Sequence, residues 1–104
     1  MAKKSPLQRS KKLLEDEGFV VAIVERWNPW AKVRQDLFGI IDLLGVKKGI
    51  TLGVQVTTLS HKQGHIDKME AHTNLKQLLQ AGWEIKLHSW RELKDGWQVD
   101  IKEF

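Results

Sequence analysis

A chain of 104 residues and 12.0 kDa, 41% hydrophobic and 29% charged, makes one ordinary domain and cannot feed two hydrophobic cores. The absence of cysteine excludes disulfides, thiolate zinc sites, iron–sulfur clusters and cysteine nucleophiles. No apolar run approaches the roughly 18 residues of a membrane helix, so the expectation is a soluble cytoplasmic protein with no membrane partner. The net charge of +4 is unevenly spread: Lys3, Lys4, Arg9, Lys11 and Lys12 open the chain with no acid among them. Such a stretch neutralises phosphates or simply solvates a frayed terminus, and residues 1–6 are expected to be flexible.

Ser5-Pro6 reads as an N-cap followed by proline in the first turn. Leu7, Ser10, Leu13, Leu14 and Glu17 continue at helical spacing to a stop at Gly18. The β-branched run over 19–24 predicts a strand covered on both faces. Asn28-Pro29 opens a loop carrying Trp27, Trp30, Lys32 and Arg34. Residues 37–46 predict a second strand, interrupted by Gly39 and Asp42, and 50–57 a third, joined through Lys47-Lys48-Gly49 as a hairpin. Ile66, Met69, Leu75, Leu78 and Leu79 lie on one face of a helix predicted over 63–80. Trp83, Ile85 and Leu87 then alternate with polar residues. So do Trp97, Val99 and Ile101 after an Asp95-Gly96 turn. The order α-β-β-β-α-β-β predicts an α/β fold, a mixed central sheet flanked by helices, with a right-handed crossover between the third and fourth strands.

Polar residues inside the apolar strands carry the chemical information. Asp42 stands in Gly-Ile-Ile-Asp-Leu-Leu, where a lone carboxylate must be paired, protonated or metal-bound. Gln55 and Thr57 are two apart on the next strand and leave the same face, which a tight hairpin brings beside Asp42. Glu25 ends the first predicted strand and Asp36 begins the second, so these ends can lie close together. Lys62 follows Thr57 and can reach back if the strand ends early. Each of these is also accounted for as a surface charge. His61, His65 and His72 sit at helical spacing without a third converging acid or cysteine, a weak zinc signal. Trp27 and Trp30 either pack their loop onto the sheet or stack on unpaired bases. Trp83, Trp90 and Trp97 are expected in the core or in a dimer contact.

An acid on a second strand, a turn, and E-x-K on a third form the core of the PD-(D/E)XK nuclease superfamily, which this chain resembles over roughly residues 7–101. The likeness is greatest to small archaeal-type Holliday junction resolvases and related phage and prophage nucleases. It is carried by L-L-E-D-E-G-F-V-V, by the spacing from G-I-I-D-L-L to V-Q-V-T-T, by H-K-Q-G-H-I-D-K and by G-W-Q-V-D-I. R-Q-D-L-F-G-I-I-D-L-L also resembles mobile-element proteins of that superfamily. The departures are specific. Gln55 replaces the second acid and Thr57 the lysine, and the acid of the first helix would fall near Leu7 or Gln8. Losing one charge beside a cation forfeits about 4 kcal/mol at 4 Å with an effective dielectric near 20. Losing the lysine costs on the order of 10²–10³ in rate.

The resemblance implies a restriction-endonuclease-like fold, a single nuclease-like domain and a metal-dependent DNA endonuclease or resolvase-like phosphodiesterase of phage origin. Asp42, Gln55, Thr57 and Asp36 would be catalytic. Asp42 and Gln55, with Glu25, would hold Mg²⁺ or Mn²⁺. Arg34, Lys62, Lys11, Lys12 and Trp30 would hold branched or duplex DNA, the chain acting as a homodimer. The alternatives are a catalytically decayed DNA-binding module of the same fold and a structural homodimer joined by its tryptophans.

Overall fold

Helix α1 (Pro6–Asp16) begins in a capping box. Ser5 Oγ accepts the Gln8 N–H at 3.2 Å, and Gln8 Oε1 accepts the Ser5 N–H at 3.4 Å. A computed structural model describes residues 4–104. Part of the expected flexible stretch, residues 1–3, therefore lies outside the described residues, whereas Ser5 and Pro6 cap and open the helix. After Gly18, β1 (Val20–Ile23) leads to a two-stranded ribbon of β2 (Arg26–Asn28) and β3 (Val33–Gln35). Then come β4 (Leu43–Lys47), β5 (Ile50–Thr58), a single 3-10 turn (Leu59–His61), α2 (Lys62–Ala71), α3 (Thr73–Gln80), β6 (Glu84–Leu93) and β7 (Gly96–Glu103).

The fold is α/β, with a mixed five-stranded sheet in the order β1-β4-β5-β6-β7 and three helices. Among the described residues, β5 and β6 are the parallel pair and the other neighbours in the sheet run antiparallel. The predicted hairpin joins β4 to β5, with Leu43 opposite Val54 and Lys47 opposite Ile50. Period-two alternation sends Leu43, Leu52 and Val54 to one face, where they pack with Leu14 of α1. Ile41, Ile85 and Leu87 meet Ile66, Met69, Leu75 and Leu78 of α2 and α3 on the other. The two layers cover the middle of the sheet on both sides, and the helical crossover from β5 to β6 supplies one of them.

Four expectations are corrected. The first strand is not covered on both faces. It is the sheet's edge, paired only with β4, and Val20 is 78% exposed. The predicted strand over 37–46 begins only at Leu43, because Phe38 and Gly39 take positive φ (53° and 82°) and fold 37–41 into a turn closed by a Leu37–Ile41 bridge. The helix predicted over 63–80 breaks at His72, whose backbone is extended and whose Nδ1 accepts the Asn74 N–H at 3.1 Å, capping α3. The Trp27–Trp30 segment, read as a loop, is the β2–β3 ribbon.

Break and turn lock together: a Cβ on Gly39 would lie 2.6 Å from His72 Nε2, so only glycine fits there. Trp90 is core, as expected. Its Nε1–H donates to Ser10 Oγ at 2.7 Å, and the same hydroxyl hydrogen-bonds His88 Nδ1 at 2.9 Å. The Arg9 guanidinium lies 4.3 Å from the centre of the Trp97 ring.

Candidate metal centre

Asp42 is the residue before β4, and its backbone is pinned on both sides. Its N–H donates to Val54 O (2.9 Å) and its carbonyl accepts the Val24 N–H (2.8 Å). The side chain therefore leaves the sheet at a fixed point between the end of β1 and the middle of β5. Asp42 is 3% exposed, and its Oδ2 accepts the Gln55 Nε2–H at 2.7 Å and the Val56 N–H at 2.8 Å. Positions 42 and 55 meet, as their strands required.

Glu25 follows β1 across Val24, and Asp36 follows β3, so the two carboxylates flank the ribbon at its root. Both meet Asp42: one carboxylate oxygen from each of Glu25, Asp36 and Asp42 lies within 4.8 Å of the others. This cluster can hold a metal ion. Burial pushes the Asp42 carboxyl up to about 8, against the pull of the Val56 hydrogen bond; the hydrogen bond and charge of Asp36 and the charge of Glu25 add to the rise. A cation among the three carboxylates would reverse that balance at Asp42.

The donor set fits a hard divalent ion. It offers three carboxylates, and beside them stands Gln55, 4% exposed, whose Oε1 is buried without a hydrogen-bond partner. A neutral carbonyl oxygen with no protein partner to lose is an acceptable ligand for Mg²⁺, though it adds no charge.

A cavity of about 280 Å³ opens over the cluster, lined by Glu25, Arg34, Asp42, Val56, Thr57 and the first residues of α1. Arg34 is its basic side chain: Nη1 donates to Glu25 Oε1 at 2.7 Å, with the guanidinium largely exposed and the carboxylate largely covered. Thr57, 9% exposed, lines the same cavity where the resemblance implies a lysine. Leu7, near the place of the expected first-helix acid, contributes only an apolar wall.

The remaining expected residues stand elsewhere. Lys62 pairs with Asp100 of β7 and does not line the acidic cavity. Lys11 pairs with Glu15 (3.0 Å) and Lys12 with Asp16 (3.4 Å) on α1. Trp30 is 94% exposed at the turn of the ribbon. The three histidines do not form a site: His61 bonds Thr58, His65 bonds the His61 carbonyl and His72 caps α3. The Glu25–Arg34 pair was not foreseen. Its signal was the pairing of R-W-N with V-R-Q across an Asn-Pro turn, which folds position 34 back beside position 25. No protein-family model matches the chain, and neither does any curated protein.

Proposed function

We propose that this protein is a metal-dependent DNA endonuclease with a restriction-endonuclease-like fold, a phosphodiesterase of Holliday-junction-resolvase type and phage origin, acting in the cytoplasm. The observation that carries the reading is the meeting of Glu25, Asp36 and Asp42 within 4.8 Å beside a buried amide whose oxygen has no partner. Asp42, Asp36 and Glu25 would hold Mg²⁺ or Mn²⁺, with the Gln55 carbonyl completing the set. When bound, the ion neutralises phosphate charge and makes water more acidic.

The chain's own groups do the rest. Arg34, at the cavity mouth, takes phosphate oxygens when it turns from Glu25, since its guanidinium is exposed and always charged. The Thr57 hydroxyl can donate a hydrogen bond but supplies no charge. Position 57 therefore contributes less to the transition state than a lysine would. The Val56 N–H and the Asp42 backbone bonds hold the central carboxylate in place, so the site forms without rearrangement of the sheet. Lys11 and Lys12 extend the basic surface along α1, and a homodimer would present two such sites to paired or branched duplexes.

Incubation with Mn²⁺ and duplex, single-stranded or four-way-junction DNA tests the reading. Cleavage that Asp42→Asn abolishes is the expected result. Intact DNA in every case overturns it in favour of a non-catalytic DNA-binding module of the same fold. The observation favouring that second reading is that the Gln55 Nε2–H already hydrogen-bonds the Asp42 carboxylate without a metal between them. A decayed site shows no saturable Mn²⁺ binding by calorimetry.

A further inference from the structure

The β2–β3 ribbon stands outside the five-stranded sheet, and its strand residues are almost all exposed. Isolated two-stranded ribbons are marginal in water unless something holds them. Here the holding groups are at the two ends. At the root, Arg34 is tied to Glu25. At the tip, the Asn28 side chain accepts the N–H groups of Trp30 and Ala31 at 3.0 and 3.1 Å, and Lys32 takes a positive φ of 55°. The turn is thus shaped before any partner arrives.

What it presents is unusual for a free surface. The Trp30 indole is 94% exposed and Trp27 is 59% exposed. Desolvating a ring of this size is worth far more than a surface loop needs, and among the described residues Trp30 is left almost wholly uncovered and Trp27 more than half so. The cations Arg26, Lys32 and Arg34 surround them on the same short segment, which carries no acid between Glu25 and Asp36. Trp27 and Arg34 are cross-strand partners, so ring and guanidinium share one face. Aromatic platforms interleaved with cations are the chemistry that holds unpaired nucleotides, the bases stacking and the phosphates pairing.

We propose that the ribbon is a binding arm for unpaired DNA, with Trp30 stacking on a base that has left its duplex. This rests on the nuclease reading and names its substrate class: DNA with an unpaired stretch beside the scissile phosphate. The ribbon's root supplies the reason. Both residues that flank it, Glu25 and Asp36, belong to the acidic cluster. Three strand residues at about 3.3 Å each put the tip about 10 Å from the root, or about three stacked nucleotides at 3.4 Å. A base seated on Trp30 therefore delivers a phosphate of the same strand to the acidic cavity, past Arg34.

The test is equilibrium binding in EDTA, without cleavage, using a labelled single-stranded oligonucleotide and its fully paired duplex. The wild-type protein binds the single strand more tightly. Trp30→Ala weakens that binding about 10- to 100-fold, leaves duplex binding within about twofold and leaves the melting temperature unchanged. Trp30→Phe keeps most of the affinity. Equal loss on both DNAs, no loss on either, or no retention of DNA by the wild-type protein overturns the inference. So does a change of sedimenting mass in Trp30→Ala with DNA binding intact, which assigns the ring to a protein contact. Failure of the nuclease reading is a separate result: single-strand preference intact, with no cleavage when Mn²⁺ is supplied.

Discussion

The Gln55 amide donates to Asp42 Oδ2 across 2.7 Å while its own carbonyl oxygen lies buried without a partner. An amide here keeps the metal-free site tolerable, since a fourth carboxylate would face three others. Gln55→Glu is therefore expected to lower the melting temperature of the metal-free protein by several degrees, the effect of about 1 kcal/mol in a domain this size. The same variant should bind Mn²⁺ at least tenfold more tightly than wild type, because one more charge faces the ion. Thermal melting with and without Mn²⁺ reads both effects. Melting that does not change in either condition would show that position 55 lies outside the cation's reach.

Removing the central acid should act in the opposite sense. Asp42→Asn is expected to lose at least a hundredfold in Mn²⁺ affinity by calorimetry and all metal-dependent cleavage. Without metal it should fold as well as wild type or better, because it no longer buries a carboxyl beside two others.

Two buried groups give the stability a defined pH profile. Burial, with a smaller contribution from Lys86, lowers the His88 imidazole to about 4 from its ordinary 6.5. Its stabilising contribution is fully present above 6.5 and is lost as pH falls through 4. Asp42 is raised from 3.8 to about 8, so its contribution is fully present below 3.8 and is lost as pH rises through 8. The two slopes oppose each other between about 4 and 6.5, and only Asp42 acts from there to 8. Metal-free wild-type protein should therefore melt at nearly constant temperature across the acid range and lower as pH rises from 6.5 to 8. In Asp42→Asn the alkaline fall should vanish and an acid loss from His88 should emerge. A wild-type melting temperature that climbs toward pH 8 contradicts this assignment.

Ser10 joins α1 to the sheet through the buried His88 and Trp90. Ser10→Ala leaves an imidazole nitrogen and an indole N–H without a partner, at a cost of about 1–3 kcal/mol each. Denaturant unfolding should show that loss with an unchanged slope, and Mn²⁺ affinity should stay within about twofold because the site is elsewhere.

Gly39→Ala meets two obstacles, a φ of 82° and a Cβ 2.6 Å from the His72 ring. A loss of about 2 kcal/mol or more is expected from denaturant unfolding. Because Gly39 lies in the turn between Asp36 and Asp42, Mn²⁺ affinity should fall with it. His72→Ala alone should cost less, since it frees space.

The sheet was readable from alternation and from the turn at Lys47-Lys48-Gly49, because register is set wherever one face must be buried. Asp42 and Gln55 stood out for the same reason: a polar group inside an apolar run demands a partner. What stayed hidden depended on tertiary context. Phe38 at positive φ contradicts its side chain's preference, so the stretch before Asp42 read as strand. The helix break at His72 leaves the apolar spacing intact on both sides, and periodicity cannot see a cap made by an imidazole. Covered and edge strands look alike when β-branched residues fill both, which is why β1 was expected to be buried. Glu25 and Asp36 were plausible as neighbours only because strand ends converge. The ion pair that ties Arg34 to Glu25 depends on the ribbon, which no hydrophobic pattern announces.

The sheet closes beneath the ribbon without it: Val24 N–H reaches the Asp42 carbonyl at 2.8 Å, and β1 runs directly alongside β4. Apart from Arg34, which lines the cavity and holds Glu25, everything between Arg26 and Gln35 is in effect an interchangeable cassette clipped to a finished scaffold. Evolution, or an engineer, can lengthen, shorten or rewrite that insert while the acidic cluster at its root keeps its anchorage to the sheet, so the outward face of the ribbon and the groups that could hold a cation are free to diverge.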